Sequence, residues 1–226
     1  MNSVNKTSRI LGVAFLLQAV IPMISGWILR QVLIVPGNIS ESMTNIANNP
    51  WLMRANILGE MMEALGIIFL GVILFVTLRK QNEKIALTAL GFYIIEAALL
   101  AASRIPAFSL LRISQEYVTA GHPAYLQTLG NLAFESMDFI YSALHMLAFS
   151  LGAILFYYLL DKARIVPRVL SLWGLITVVF PCLIATLFVI FGYQVPFFAY
   201  LPYAPFEIVI GVWILVKGIK GGLETK

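Results

Sequence analysis

Glu60 and Glu63 stand three residues apart near the start of the apolar run "NILGEMMEALGIIFLGVILF", residues 56 to 75. On a helix that spacing sets two side chains about 60° apart on neighbouring parts of one face. Carboxylates held there can bind a cation, exchange a proton or act on a water. Two further acids sit deep in apolar sequence, Glu96 in "FYIIEAALLAASR" and Glu207 in "YLPYAPFEIVIGVW". In "NLAFESMDFIYSALHML", steps of about 100° put Glu135, Asp138, Ser142 and His145 on one polar stripe. Tyr200, Tyr203 and Glu207 form a second stripe, Glu96 nearly aligns with Ser103, and Arg104 closes that run.

Specific catalytic signatures are absent: there is no HExxH zinc motif, Walker A loop, GxSxG elbow or dinucleotide fingerprint. The ExxE spacing of Glu60 and Glu63 is half of a metal motif, because carboxylate-bridged bundles also require Glu-x-x-His pairs. Three functions fit these residues. A transporter of a small solute or cation would use Glu96 or Glu207 as its proton- or cation-coupling group. A membrane-embedded hydrolase would hold a divalent cation, or use a carboxylate base with His145 nearby. A structural or regulatory membrane protein would need neither, and the methionines Met61 and Met62 would then be packing residues.

The elements that must carry these groups are set by hydropathy. The 226-residue chain is 60% hydrophobic and 12% charged, with a mean hydropathy of +0.90, a composition that favours membrane over soluble folding. A crossing helix needs about 20 apolar residues. Six segments meet that length, roughly 10–30, 57–78, 85–104, 138–160, 169–192 and 198–217, and predict one all-α integral membrane domain over 1–226. Period-two alternation is missing, so a β-barrel does not fit. The first segment follows Lys6 and Arg9 as a signal peptide would, but its length and the want of a small-residue cleavage site favour a retained span. Pro181 predicts a kink in the fifth span, and the single cysteine, Cys182, is read as a packing residue there.

Basic residues choose the orientation. Lys6, Arg9, Arg79, Lys80, Lys84, Lys162, Arg164, Arg168, Lys217, Lys220 and Lys226 fall on one side, whereas the other side has only Arg30, Arg54, Arg104 and Arg112. Both termini are therefore expected in the cytoplasm. A net charge of +4 spread between spans makes no nucleic-acid surface; the expected partners are membrane lipids and a small solute or cation. On the outer side, "NISESMTNIANNPWLMR" predicts a short helix from about Ser40 that ends at Asn-Asn-Pro, and "SLLRISQEYVTAGHPAYLQTLGNLAF" predicts an amphipathic helix to Gly121, a break at Pro123 and a second helix running into span four. These segments would anchor in the interface or lie as a lid over a polar cavity. Gly59, Gly66, Gly71, Gly91, Gly152 and Gly211 suit close helix packing.

The acids outnumber nearby bases. Glu60, Glu63, Glu96, Asp138 and Glu207 face only Arg104, with His145 and Arg54 as further candidates. They must therefore hold protons, share a cation or open on a wet cavity.

The pieces "KTSRILGVAFL", "SQEYVTAGHPAYLQTLG", "GAILFYYLL" followed by "VPRVLSLWGL", and "PFEIVIGVWILVKG" together resemble a bacterial membrane-protein family, domain of unknown function 4386, over nearly the whole chain. The resemblance implies a bacterial multi-pass protein of the plasma membrane. It brings no catalytic residues with it.

Overall fold

A computed structural model describes residues 3–219 and gives no side-chain placement for residues 3–6 and 197. Lys220 and Lys226 of the C-terminal basic group therefore lie outside the described residues, as does the side chain of Lys6. Seven helices carry the fold: α1 (Thr7–Leu33), α2 (Ile39–Asn48), α3 (Pro50–Leu78), α4 (Glu83–Thr119), α5 (Ala124–Ala163), α6 (Arg168–Ile190) and α7 (Phe198–Lys217). All but α2 are long and apolar enough to cross a membrane, as the six hydropathy segments require, and no strand occurs among the described residues.

The caps are readable in the chain. Asn38 Oδ1 accepts from the Glu41 N–H at 3.1 Å while Glu41 accepts from the Asn38 amide at 2.9 Å, a reciprocal start for α2. Asn82 caps α4 through the Ile85 N–H at 3.1 Å. Pro50 opens α3 at the position where a missing N–H costs nothing. Gly121 (φ +76°) and His122 (φ +65°) make the left-handed turn that ends α4 ahead of Pro123.

In sequence order the spans follow one another around the bundle, α1 against α3, α3 against α4, α4 against α5, α5 against α6, and α7 returns to pack along α1. The main core includes Phe15, Leu74, Tyr93, Leu100, Phe156, Tyr157, Phe206 and Ile210. Outward, large apolar side chains such as Val13, Leu65, Phe69, Ile95, Phe180 and Val212 remain exposed. In water they would be an aggregation surface; around a span bundle they meet lipid.

α4 has 37 residues and α5 has 40, about 55 Å and 60 Å of helix, against a hydrocarbon core of about 30 Å. Their surplus forms a helical hairpin at the end of the molecule away from the termini. The third span was expected to close at 104, with a separate amphipathic helix beyond it. Instead α4 runs unbroken through Pro106, while the helix after Pro123 begins at Ala124 and runs into span four as expected, forming α5. The reason is a second core of Leu33, Met43, Ile46, Leu110, Leu111, Leu126 and Met137, in which α2 packs on the hairpin. Those contacts compensate for the hydrogen bond that Pro106 cannot donate.

Close backbone approach closes the circle. A Cβ on Gly211 would lie 3.1 Å from the Gly12 carbonyl oxygen, and one on Gly12 would lie 2.9 Å from that of Gly211. Leu16 and Leu215 side chains crowd the same space together with these carbonyls, so Gly211→Val is expected to push α7 off α1 at a cost of about 1–3 kcal/mol. Thermal unfolding in detergent checks this; an unchanged midpoint would refute it. Gly91, by contrast, faces open space and does not serve the close packing expected of it.

Candidate functional site

Gly59 and Gly66, seven residues apart on α3, admit α1 closely enough for a Cβ on either to collide with Ser25 or Gln18. That approach carries two polar side chains of α1 to the acidic turn of α3. Gln18 donates its amide to the Glu63 carbonyl at 3.4 Å. Asn56 donates to the Ser25 carbonyl at 2.7 Å. The Ser25 carbonyl is available because residues Met23–Leu29 form a π-helical stretch, which loosens the usual ladder and is frequent at functional sites.

Glu60 (1% exposed), Glu63 (6%) and Glu96 (4%) are buried, and each has an Oε2 atom without a hydrogen-bond partner. Only two other buried side-chain oxygens among the described residues share that condition, Ser114 Oγ and Thr186 Oγ1. Buried polar atoms are normally bonded, so three orphaned carboxylate oxygens in one region set that region apart. The charges also reach one another: Glu63 lies within electrostatic range of Glu60, Glu96, Glu207 and Arg104.

Arg104 does not extend to the surface. It is buried, donates from Nε and Nη2 to Ser103 Oγ at 3.0 and 2.8 Å, and reaches Asn56 Oδ1 at 3.4 Å. Its guanidinium lies 5.7 Å from the centre of the Tyr141 ring, a distance suited to cation–π attraction. Glu60 and Arg104 face a cavity of about 20 Å³, also lined by Gly26, Arg30, Asn56 and Tyr141. That volume holds about one water. It lies where the outer hairpin, through Leu33, Met53 and Met137, meets the span bundle.

Arg30, one of the residues lining the cavity, is ion-paired through Nη2 with Asp138 Oδ1 across α1 and α5, and its guanidinium lies 5.6 Å from the Tyr141 ring centre. Arg54 was the expected extra base, but it is exposed. Arg30 takes that place because the π turn in α1 swings it toward α5. Its signal in the sequence was weak, since an arginine at a span end ordinarily anchors in the headgroups.

His145 is buried, and its Nδ1 lies 2.9 Å from the Tyr141 carbonyl. A carbonyl only accepts, so Nδ1 carries the hydrogen and Nε2 is turned to Glu96 Oε1, 3.8 Å away. The polar stripe expected on α5 does not survive as one face. Ile140–His145 is π-helical, and the extra residue in that turn rotates the remainder of the helix by about 100°. Glu135, ahead of that turn, is exposed and accepts from Asn131 on its own helix at 2.7 Å. Asp138 turns to Arg30, and Ser142 bonds to the Asp138 carbonyl at 2.6 Å. His145 alone of the four reaches the buried acids.

Glu207 lies in the first turn of the regular helix Ala204–Lys217, at the positive end of its dipole. The preceding part of α7 is a 3₁₀ turn and bends, tied down by Trp173 Nε1 donating to the Pro202 carbonyl at 3.0 Å. Tyr203 donates to Glu207 Oε1 at 2.7 Å, and its hydroxyl meets that of Tyr157 at 2.8 Å. Tyr157 was not singled out in the sequence, because a tyrosine in "ILFYYLLD" is indistinguishable from core until its partner is seen.

Among the described residues, no three His, Cys, Asp or Glu side chains converge as a metal-ligand set.

Six apolar helices wrapped around buried acids define a polytopic helical membrane protein, with lipid-facing walls and a polar centre. The chain belongs to the family described as domain of unknown function (DUF4386), whose model matches residues 10–218, and so to a group of bacterial multi-pass membrane proteins. Neither a curated protein nor a solved structure matches it.

Proposed function

We propose that this protein is a small-solute or cation transporter of the bacterial plasma membrane, a single integral domain over 1–226 with both termini in the cytoplasm. The orphaned Oε2 atoms of Glu60, Glu63 and Glu96 carry the reading. A bundle that needed only to stand would bury apolar groups there, because isolated buried charge is costly in lipid. Glu96 and Glu207 are the coupling groups, and the Arg30–Asp138 pair covers the approach from the outer side. Positive residues between α3 and α4 and between α5 and α6 support the cytoplasmic termini.

The test is flux through purified protein in liposomes under imposed proton, sodium and potassium gradients, with a defined mixture of amino acids, carboxylates and sugars on the outside. Protein-dependent dissipation of at least one cation gradient is expected. Rates equal to those of protein-free vesicles for all three cations would reject the proposal.

A further inference from the structure

We infer that the ion handled by the buried acids is the proton, and that it passes between Glu96 and Glu207 through the hydroxyls of Tyr93, Tyr157 and Tyr203. This inference rests on the transport reading and narrows it to one ion and one route.

Two facts of geometry favour a proton over a metal cation. A cation such as calcium favours several carboxylate oxygens turned inward at once, and no three His, Cys, Asp or Glu side chains converge in that way among the described residues. A proton requires one acceptor at each station and a neighbour that lies at, or rotates to, hydrogen-bond distance. Tyr157, Tyr203 and Glu207 supply two such links, 2.8 and 2.7 Å long. Tyr157 is fully buried and Tyr93 is 2% exposed, while Tyr203 and Glu207 are half-buried. Tyr93 shares the buried core with Tyr157, its ring edge-on to that of Phe156 at 5.0 Å. It lies three residues before Glu96 on α4, the spacing at which side chains meet on one helix face.

The stations beyond Glu96 are also in place. Its Oε1 faces His145 Nε2 at 3.8 Å, and its Oε2 has no partner. Glu63 on α3 lies within electrostatic range of Glu96, and Glu60 with Arg104 leads from Glu63 to the small outer cavity. The other titratable group against the relay is Cys182 on α6, near Tyr157 and Glu207.

Only O–H bonds form and break. Glu96 gives its proton to Tyr93 Oη; the hydrogen of Tyr93 goes to Tyr157, that of Tyr157 to Tyr203, and that of Tyr203 to Glu207 Oε1. Glu96 ends as a carboxylate facing His145, Glu207 ends as a carboxylic acid, and every tyrosine remains neutral. Rotation of the three hydroxyls resets the chain.

Tyr157→Phe and Tyr203→Phe remove one oxygen each and keep the rings. Liposomes loaded with a pH-sensitive dye, driven by a potassium diffusion potential and given the same solute mixture, report proton entry. Each variant is expected to slow proton entry by about 100-fold, the scale of a lost proton-transfer partner. Tyr158→Phe, at a half-exposed neighbour, is expected to match the parent. Parent-like proton entry in both Tyr157→Phe and Tyr203→Phe would overturn the relay while leaving transport standing. Sodium or potassium flux without proton entry would overturn the choice of ion but keep the transporter. No cation flux in the parent protein would overturn both readings.

Discussion

Glu96→Gln and Glu207→Gln are each expected to abolish cation-dependent flux in reconstituted liposomes, a fall of about 100-fold or more, while the protein remains folded. Glutamine keeps the shape of glutamate and its capacity to hydrogen-bond, but it neither releases a proton nor offers negative charge. At position 96 the exchange leaves His145 bonded to the Tyr141 carbonyl, since that contact uses Nδ1 alone. At position 207 the Tyr203 hydroxyl still finds the amide oxygen. Stability should hold or rise, because a buried carboxylate without a close cation contributes little to folding and its neutral isostere avoids the desolvation cost. Melting in detergent therefore separates lost function from lost fold. Flux equal to the parent in both variants would remove the coupling role from these acids.

Arg104→Met is expected to have the largest effect on stability, about 3–5 kcal/mol, the range for removing one side of a buried charge arrangement. Methionine keeps much of the stem volume, so the loss is mainly of charge and of the bonds to Ser103 and Asn56. Glu60 and Glu63 both lie within the field of that guanidinium. Adding Glu60→Gln to Arg104→Met should recover about 1–3 kcal/mol, since the charge left behind is then gone. Urea or thermal unfolding of the two single variants and the double variant measures the coupling. Strict additivity would mean that Arg104 serves Ser103 and Asn56 only and takes no part in balancing the acids.

The acids themselves were legible because a charged residue within an apolar run stands out by type and position. Their grouping was only partly legible. Glu96 and His145 face each other at 3.8 Å, but the stripe on α5 failed where the helix leaves its 3.6-residue period at Ile140–His145. The same kind of departure at Met23–Leu29 in α1, behind Pro22 and across Ser25–Gly26, brings Ser25 and Arg30 to the site, whereas Ile140–His145 has no such residue to announce it. Pro181 did predict an irregularity, and Val178–Leu183 is π-helical around it.

Six spans, the short α2 with its cap, the break at Gly121 and Pro123, and family membership were determined by sequence alone. Each depends on composition over a window of about 20 residues, on a cap a few residues long, or on the order of residues along the chain. Tertiary structure decided the rest: the continuation of α4 through Pro106, the second core that supports the outer hairpin, the pairing of Arg30 with Asp138, and the alignment of Tyr157, Tyr203 and Glu207. Those features join residues up to 108 positions apart. Helix phase and helix contact are set jointly by partners on other spans, so no local pattern in the chain encodes them.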